Sequence, residues 1–229
     1  MTSIGASAFL DCTSLVEIKL PPKLTAIDPF CFYGCSSLEK VTIPTKLVSI
    51  KFNAFYGCSS LKEILIPTSV TSIGAYAFSG CSSLLEIMIP PNVDYLGNSS
   101  FEGCISLKKV SIPSSLKNIE NFTFSGCSSL TDVSFVDPCA VTCIGEKVFK
   151  QCTSLTHITI PPSVVMILDS SFEDCTSLKS ISFESPNIVL GDSVFKGCTS
   201  LNEKDIPFSK YANNNSKNSK KDKKGCLID

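Results

Sequence analysis

Thirteen cysteines and a single histidine, His157, are the residues of this 229-residue chain best suited to chemistry. A thiol serves as a nucleophile, a metal ligand or half of a disulfide, and each role asks for a different spacing. Nine of the cysteines (Cys12, Cys35, Cys58, Cys81, Cys104, Cys127, Cys152, Cys175 and Cys198) recur at one constant spacing, broken once by a slightly longer interval between Cys127 and Cys152. A period of this size belongs to a stacked repeat. Cys31 precedes a phenylalanine, where other repeats have Ala8, Ala54 or Ala77, and so reads as a small packing residue. Cys139 and Cys143 fall around the two-residue insertion as a CxxxC pair without a second pair, which is weak as a metal site and predicts surface thiols. His157 stands where other repeats carry Glu17, Lys40, Glu63 or Glu86, a variable and exposed register. The carboxylates recurring in that column, with Lys40 and Lys109 among them, form a ladder of mixed charge, as on a solvated face. No P-loop, dinucleotide glycine motif, HExxH or GxSxG sequence occurs. The expectation is therefore no enzyme, no metal, no cofactor and no small-molecule substrate.

What positions the cysteines is the repeat itself. Three residues before each of the nine stands a phenylalanine, from Phe9 to Phe195, and three residues after each a leucine, from Leu15 to Leu201. The clearest unit runs Ala77-Phe78-Ser79-Gly80-Cys81-Ser82-Ser83-Leu84, then Leu85-Glu86-Ile87-Met88-Ile89-Pro90, then Val93-Asp94-Tyr95-Leu96. Ile87-Met88-Ile89 alternates inward and outward side chains with β-branched residues inside, the pattern of a half-buried strand. Pro90 ends that strand because it has no N–H to donate. Gly-Cys-Ser-Ser favours a tight turn or a short helical turn. One such coil cannot bury its own apolar face, whereas stacked coils can.

This pattern resembles the BspA-like leucine-rich-repeat family, whose units read AFxGCxSLxxIxIPxxVxxI, and residues 4 to 206 follow it almost without a gap. The resemblance implies a right-handed solenoid of nine coils of about 23 residues, within the range of repeat lengths that build leucine-rich solenoids, with a continuous parallel β-sheet and short turns or helical turns opposite. It also implies a role in adhesion or protein interaction, often at cell surfaces, and it carries over no catalytic residue. In register, the repeat cysteines stack at the inter-strand distance of about 4.8 Å. Parallel Cβ directions suit disulfides poorly, so these thiols are expected to be reduced and buried.

Composition narrows the partners. Twenty basic against twenty-one acidic residues give a net charge of -1, without the basic excess of a nucleic-acid binder. The chain is 43% hydrophobic, enough for a sizeable core. It has no run of roughly 20 apolar residues and no basic-then-apolar start, so the sequence predicts no standard export signal. The outward residues of the strands form a stripe in which Leu65 and Met88 occupy adjacent coils, flanked by Glu63, Glu86 and Lys109. An apolar centre with a charged rim is the arrangement expected where a protein partner, of unknown identity, would bind.

The two ends differ. Thr2 to Phe9 matches the second half of a unit, which predicts an open edge covered by a partner or a second copy, or a fragment of a longer repeat protein. In the last coil Lys204 takes the inward site held elsewhere by Ile18, Ile87 or Val110, which predicts a terminal cap. The solenoid is assigned to 1–208 and a disordered polybasic tail to 209–229. That tail carries Lys217, Lys220, Lys221, Lys223 and Lys224 ahead of Cys226-Leu227-Ile228-Asp229. Its end looks like a CaaX prenylation box with the usual polybasic second signal, although Asp229 departs from the customary final residue. A lipid on Cys226 together with the lysines would hold the chain stably at the anionic, cytoplasmic face of a membrane. The leading expectation is thus a non-enzymatic interaction scaffold tethered in this way, otherwise cytoplasmic. The alternatives are a cell-surface or secreted adhesin of the BspA-like type and a repeat fragment.

Overall fold

A computed structural model describes residues 3–185, 187–202 and 206. Its repeating element is the corner built around each phenylalanine. In the corner at Phe78 the amides divide their hydrogen bonds in alternation. Those of Tyr76, Phe78 and Gly80 reach forward to the carbonyls of Asn98, Ser100 and Glu102 in the next coil, at 2.7–2.9 Å. Those of Ala77, Ser79 and Cys81 close turns onto Gly74, Tyr76 and Phe78. Left-handed residues make this alternation possible, one two places before the phenylalanine and one just before the cysteine. The second site is glycine in six corners, including Gly80 at φ 73°, which takes that conformation without steric cost. Asp11, Gln151 and Asp174 serve at three other corners. These turns take the place opposite the sheet, and the described residues contain no helix.

From each corner the chain enters a front strand. The front row consists of β1 (Glu17–Lys19), β3 (Lys40–Thr42), β6 (Glu86–Met88), β8 (Lys109–Ile112), β10 (Asp132–Phe135), β12 (His157–Ile160) and β14 (Ser180–Phe183). A second row of two-residue strands follows the proline turns: β2 (Ala26–Ile27), β4 (Ser49–Ile50), β5 (Ser72–Ile73), β7 (Tyr95–Leu96), β9 (Asn118–Ile119), β11 (Cys143–Ile144), β13 (Met166–Ile167) and β15 (Val189–Leu190). All pairing is parallel, and equivalent residues of successive coils face one another, as Ile87 does Val110. The fold is therefore a parallel β-solenoid of about 23 residues per turn, its nine corners bounding eight turns.

The ladder hydrogen bonds are not continuous along the front. They join β1 to β3, then β6 to β8 to β10, then β12 to β14. Residues 62–66 adopt no strand, although Ile64 and Ile66 still point inward and are buried. The second break, between β10 and β12, follows the coil that holds the insertion, whose two extra residues separate Phe135 from Thr142. Cys139 in that insertion is half-buried, whereas Cys143 lies buried in β11 between Asn118 and Met166. The expectation of two surface thiols thus fails at Cys143, because the insertion ends before it and the second row resumes its inward packing there.

The core runs the length of the solenoid as stacked columns. Nine phenylalanine rings, Phe9 to Phe195, lie 5.2 to 5.8 Å apart and within 22° of parallel. Offset stacking at this separation adds about 0.5–1.5 kcal/mol per pair beyond the area buried. Leu38, Leu61, Leu84, Leu107, Leu130, Leu155 and Leu178 form a second fully buried column. At the first coil Phe9, Cys12, Leu15 and Ile18 remain half-buried, as do Phe195 and Leu201 at the other end. Lys204, the expected cap, lies outside the described residues.

Candidate interaction surface

The cysteines, first in line for chemistry, are held in a structural ladder. From Cys35 to Cys198 each thiol donates to the carbonyl of the phenylalanine one coil earlier, at 3.0 to 3.3 Å. The Phe78 carbonyl, for instance, accepts from the Cys81 amide of its own corner and from the Cys104 Sγ of the next. All nine repeat cysteines are free, as the stacking geometry requires. Burial pushes the thiols of Cys31 and Cys104 up to about 12 and that of Cys35 up to about 11. Burial likewise raises Cys58, Cys81, Cys127 and Cys152. The hydrogen bond with Cys198 and burial together raise Cys175. A thiol that does not ionise is a poor nucleophile and a poor metal ligand. His157 is exposed, with Nδ1 3.1 Å from the Thr156 hydroxyl. Among the described residues, no three side chains of histidine, cysteine, aspartate or glutamate are placed to hold a metal ion.

The front face is where the side chains vary. Leu65 is 80% exposed and Met88 74%, on successive coils. Glu86 and Lys109 are exposed register partners in the column beside Met88, and Glu63 is exposed one coil before Glu86. Met88 itself pairs with Ser111, so the apolar centre gives way to a small polar residue toward β8. Sequence reasoning missed Leu85, 44% exposed beside this group. Its signal was available, because Leu85 occupies the column of Lys62 and Lys108. Farther along, a cleft of about 540 Å³ opens at the break between β10 and β12.

A family model described as a BspA type leucine rich repeat region, in six copies, matches residues 1–108 and 94–220. The chain belongs to the BspA-type leucine-rich-repeat family. Solved structures agree. A leucine rich repeat protein of T. pallidum is 32% identical, with a TM-score of 0.63, over 66% of this chain and 70% of that one. One from Bacteroides ovatus is 26% identical, with a TM-score of 0.59, over 86% and 69%. A leucine rich cell surface protein of Faecalibacterium prausnitzii is 30% identical, with a TM-score of 0.58, over 88% of this chain and 62% of its own. No curated protein matches the chain.

In this BspA-type solenoid, the corners repeat the same phenylalanine and cysteine and the outward side chains of the strand face vary from coil to coil. No described helix is long and apolar enough to cross a membrane. The lysines from Lys217 to Lys224 and Cys226 lie outside the described residues.

Proposed function

We propose that this chain is a non-enzymatic scaffold that captures a protein partner on its front face, centred on Leu65 and Met88. One observation carries the reading: two large apolar side chains on adjacent coils stand almost fully in solvent among the exposed charges of Glu63, Glu86 and Lys109. Scattered exposed apolar residues are ordinary, but a rimmed pair on adjacent coils of a stacked solenoid is what an interface centre requires. Truncating an interface centre typically costs about 2 kcal/mol or more of binding, a roughly thirtyfold loss of affinity. Replacing Leu65 and Met88 together by Ser should therefore deplete specific partners from affinity capture while leaving the circular dichroism spectrum unchanged. Unchanged capture would sink the reading.

Membrane attachment through Cys226 and its lysines is the second part of the proposal. It rests on the CaaX-like ending and the polybasic run before it. Fractionation of the native protein with mass analysis of its C-terminus tests it: a prenyl mass on Cys226 with the last three residues removed is expected, and an unmodified Cys226 followed by Asp229 rejects it. A cell-surface location is the competing reading, supported by the description of the F. prausnitzii neighbour as a cell surface protein. Protease treatment of intact cells separates the two, since only a surface-displayed chain is degraded.

A further inference from the structure

The cleft at the second sheet break has a composition unlike the rest of the front face. Its twelve lining residues include three carboxylates, Asp132, Asp137 and Glu184, and neither lysine nor arginine. All three carboxylates are exposed. Among the described residues β10 pairs only with β8 and β12 only with β14, so the strand edges facing each other across the cleft have no ladder partner. One hydroxyl beside it also departs from the repeat. Ser69 and Ser115 donate their hydroxyls to Leu47 and Val93 in the coil before. Ser163, at the same position and next to the lining residues Pro161 and Pro162, has a buried hydroxyl without a partner.

The segment that follows the described solenoid is within chain reach of this cleft. Ile206 is the equivalent of Phe183 one coil on, and Phe183 pairs with Ile160, so the chain leaves the described solenoid along the same column of strand ends that contains Phe135. From there to β12 is two strand spacings, roughly 10 Å. Beyond Ile206 the sequence continues to Asp229, with Lys210, Lys217, Lys220, Lys221, Lys223 and Lys224 against Asp222 and Asp229. At about 3.3 Å per extended residue, Lys210 reaches roughly 13 Å from Ile206 and Lys217 roughly 36 Å. We propose that the cleft between β10 and β12 binds the lysine-rich segment 209–224 of the same chain, with lysine ammoniums against Asp132, Asp137 and Glu184. Individual exposed ion pairs are weak and screened beyond a Debye length of about 8 Å in physiological salt. The tether compensates, since a short flexible linker supplies an effective concentration on the order of 1 mM. The cleft and an anionic membrane then compete for the same lysines. The inference needs neither a lipid on Cys226 nor a partner at Leu65 and Met88.

Zero-length carbodiimide cross-linking of the full chain tests it, using an equal mixture of ¹⁵N-labelled and unlabelled protein to separate intramolecular from intermolecular links. The exposed Lys62–Glu39 pair, 3.1 Å apart, is an internal standard for the folded state. At low salt the tail lysines should link to Asp132, Asp137 and Glu184 within single molecules. The yield should fall at least fivefold in the D132N/D137N/E184Q triple variant and in 0.5 M salt, with the Lys62–Glu39 link retained in the variant. Tail links to other carboxylates, links only between molecules, or none while the Lys62–Glu39 link forms would each overturn the proposal.

Discussion

The phenylalanine corner and the strand face run along the same solenoid, yet the corner is unbroken through nine rings while the face loses its ladder twice. At the corner every coil is tied to the next by alternating amides, a thiol and a stacked ring, and the phenylalanine and cysteine recur in all nine. On the face, inward residues such as Ile64 and Ile66 hold the chain in place even where no strand hydrogen bonds form. The corner therefore supports the stack, and the face can be interrupted, widened or repopulated without dismantling it. In a fold whose coils touch only their neighbours, this division lets recognition change at one coil and leave the others alone.

The largest expected effect tests whether the corner carries the stability. Phe101 is fully buried between rings at 5.3 and 5.7 Å, so Phe101→Ala should cost about 3–5 kcal/mol, read as a lower midpoint in urea unfolding. A cost below about 1 kcal/mol, the ordinary size of a point-mutant effect, would remove the distinction between corner and face. Cys104→Ala takes away one thiol hydrogen bond and little volume. Because the Phe78 carbonyl keeps its bond from the Cys81 amide, the expected cost is about 1 kcal/mol in the same assay.

A charged ladder on the outside of the corner gives a smaller, pH-dependent effect. Glu173 lies between Lys150 at 2.8 Å and Lys196 at 3.1 Å, and these hydrogen bonds hold its carboxyl down to about 2. A depressed folded-state value means the contribution is fully present above the ordinary carboxylate range and is lost as the pH falls toward 2. The stability gap between the wild type and Glu173→Gln should thus be widest near neutral pH and should close between about pH 4.5 and 2; a gap that widens with acid would contradict the assignment. Since Lys196 is largely exposed, salt should narrow it too. The smallest effect is on the face. Leu65→Ser and Met88→Ser should each shift stability by less than about 0.5 kcal/mol. A loss comparable to that of Phe101→Ala would break the comparison, because it would make the exposed stripe part of the support.

Much of this was legible because a constant period puts equivalent side chains in one column, so the exposure of Leu65 and the burial of Cys81 both follow from register. The thiol hydrogen bonds were not. The repeat fixes their separation, 26 residues, or 28 across the insertion, but not that each thiol turns toward the phenylalanine carbonyl of the coil before. The first sheet break was equally hidden, since Glu63-Ile64-Leu65-Ile66-Pro67 is as regular a strand sequence as Glu86-Ile87-Met88-Ile89-Pro90. The second was half visible. The insertion shows in the longer interval between Cys127 and Cys152, but not that it opens a cleft reaching Glu184, two coils farther on.

The buried thiol ladder bears on where such a chain can live. Oxidants and disulfide exchange act on thiolates, and from Cys35 to Cys175 the repeat thiols are held protonated away from solvent. This ladder should therefore keep one covalent state in a reducing cytoplasm and in an oxidising exterior alike. Redox environment, which normally sorts cysteine-rich chains by compartment, imposes no such choice on these repeat thiols.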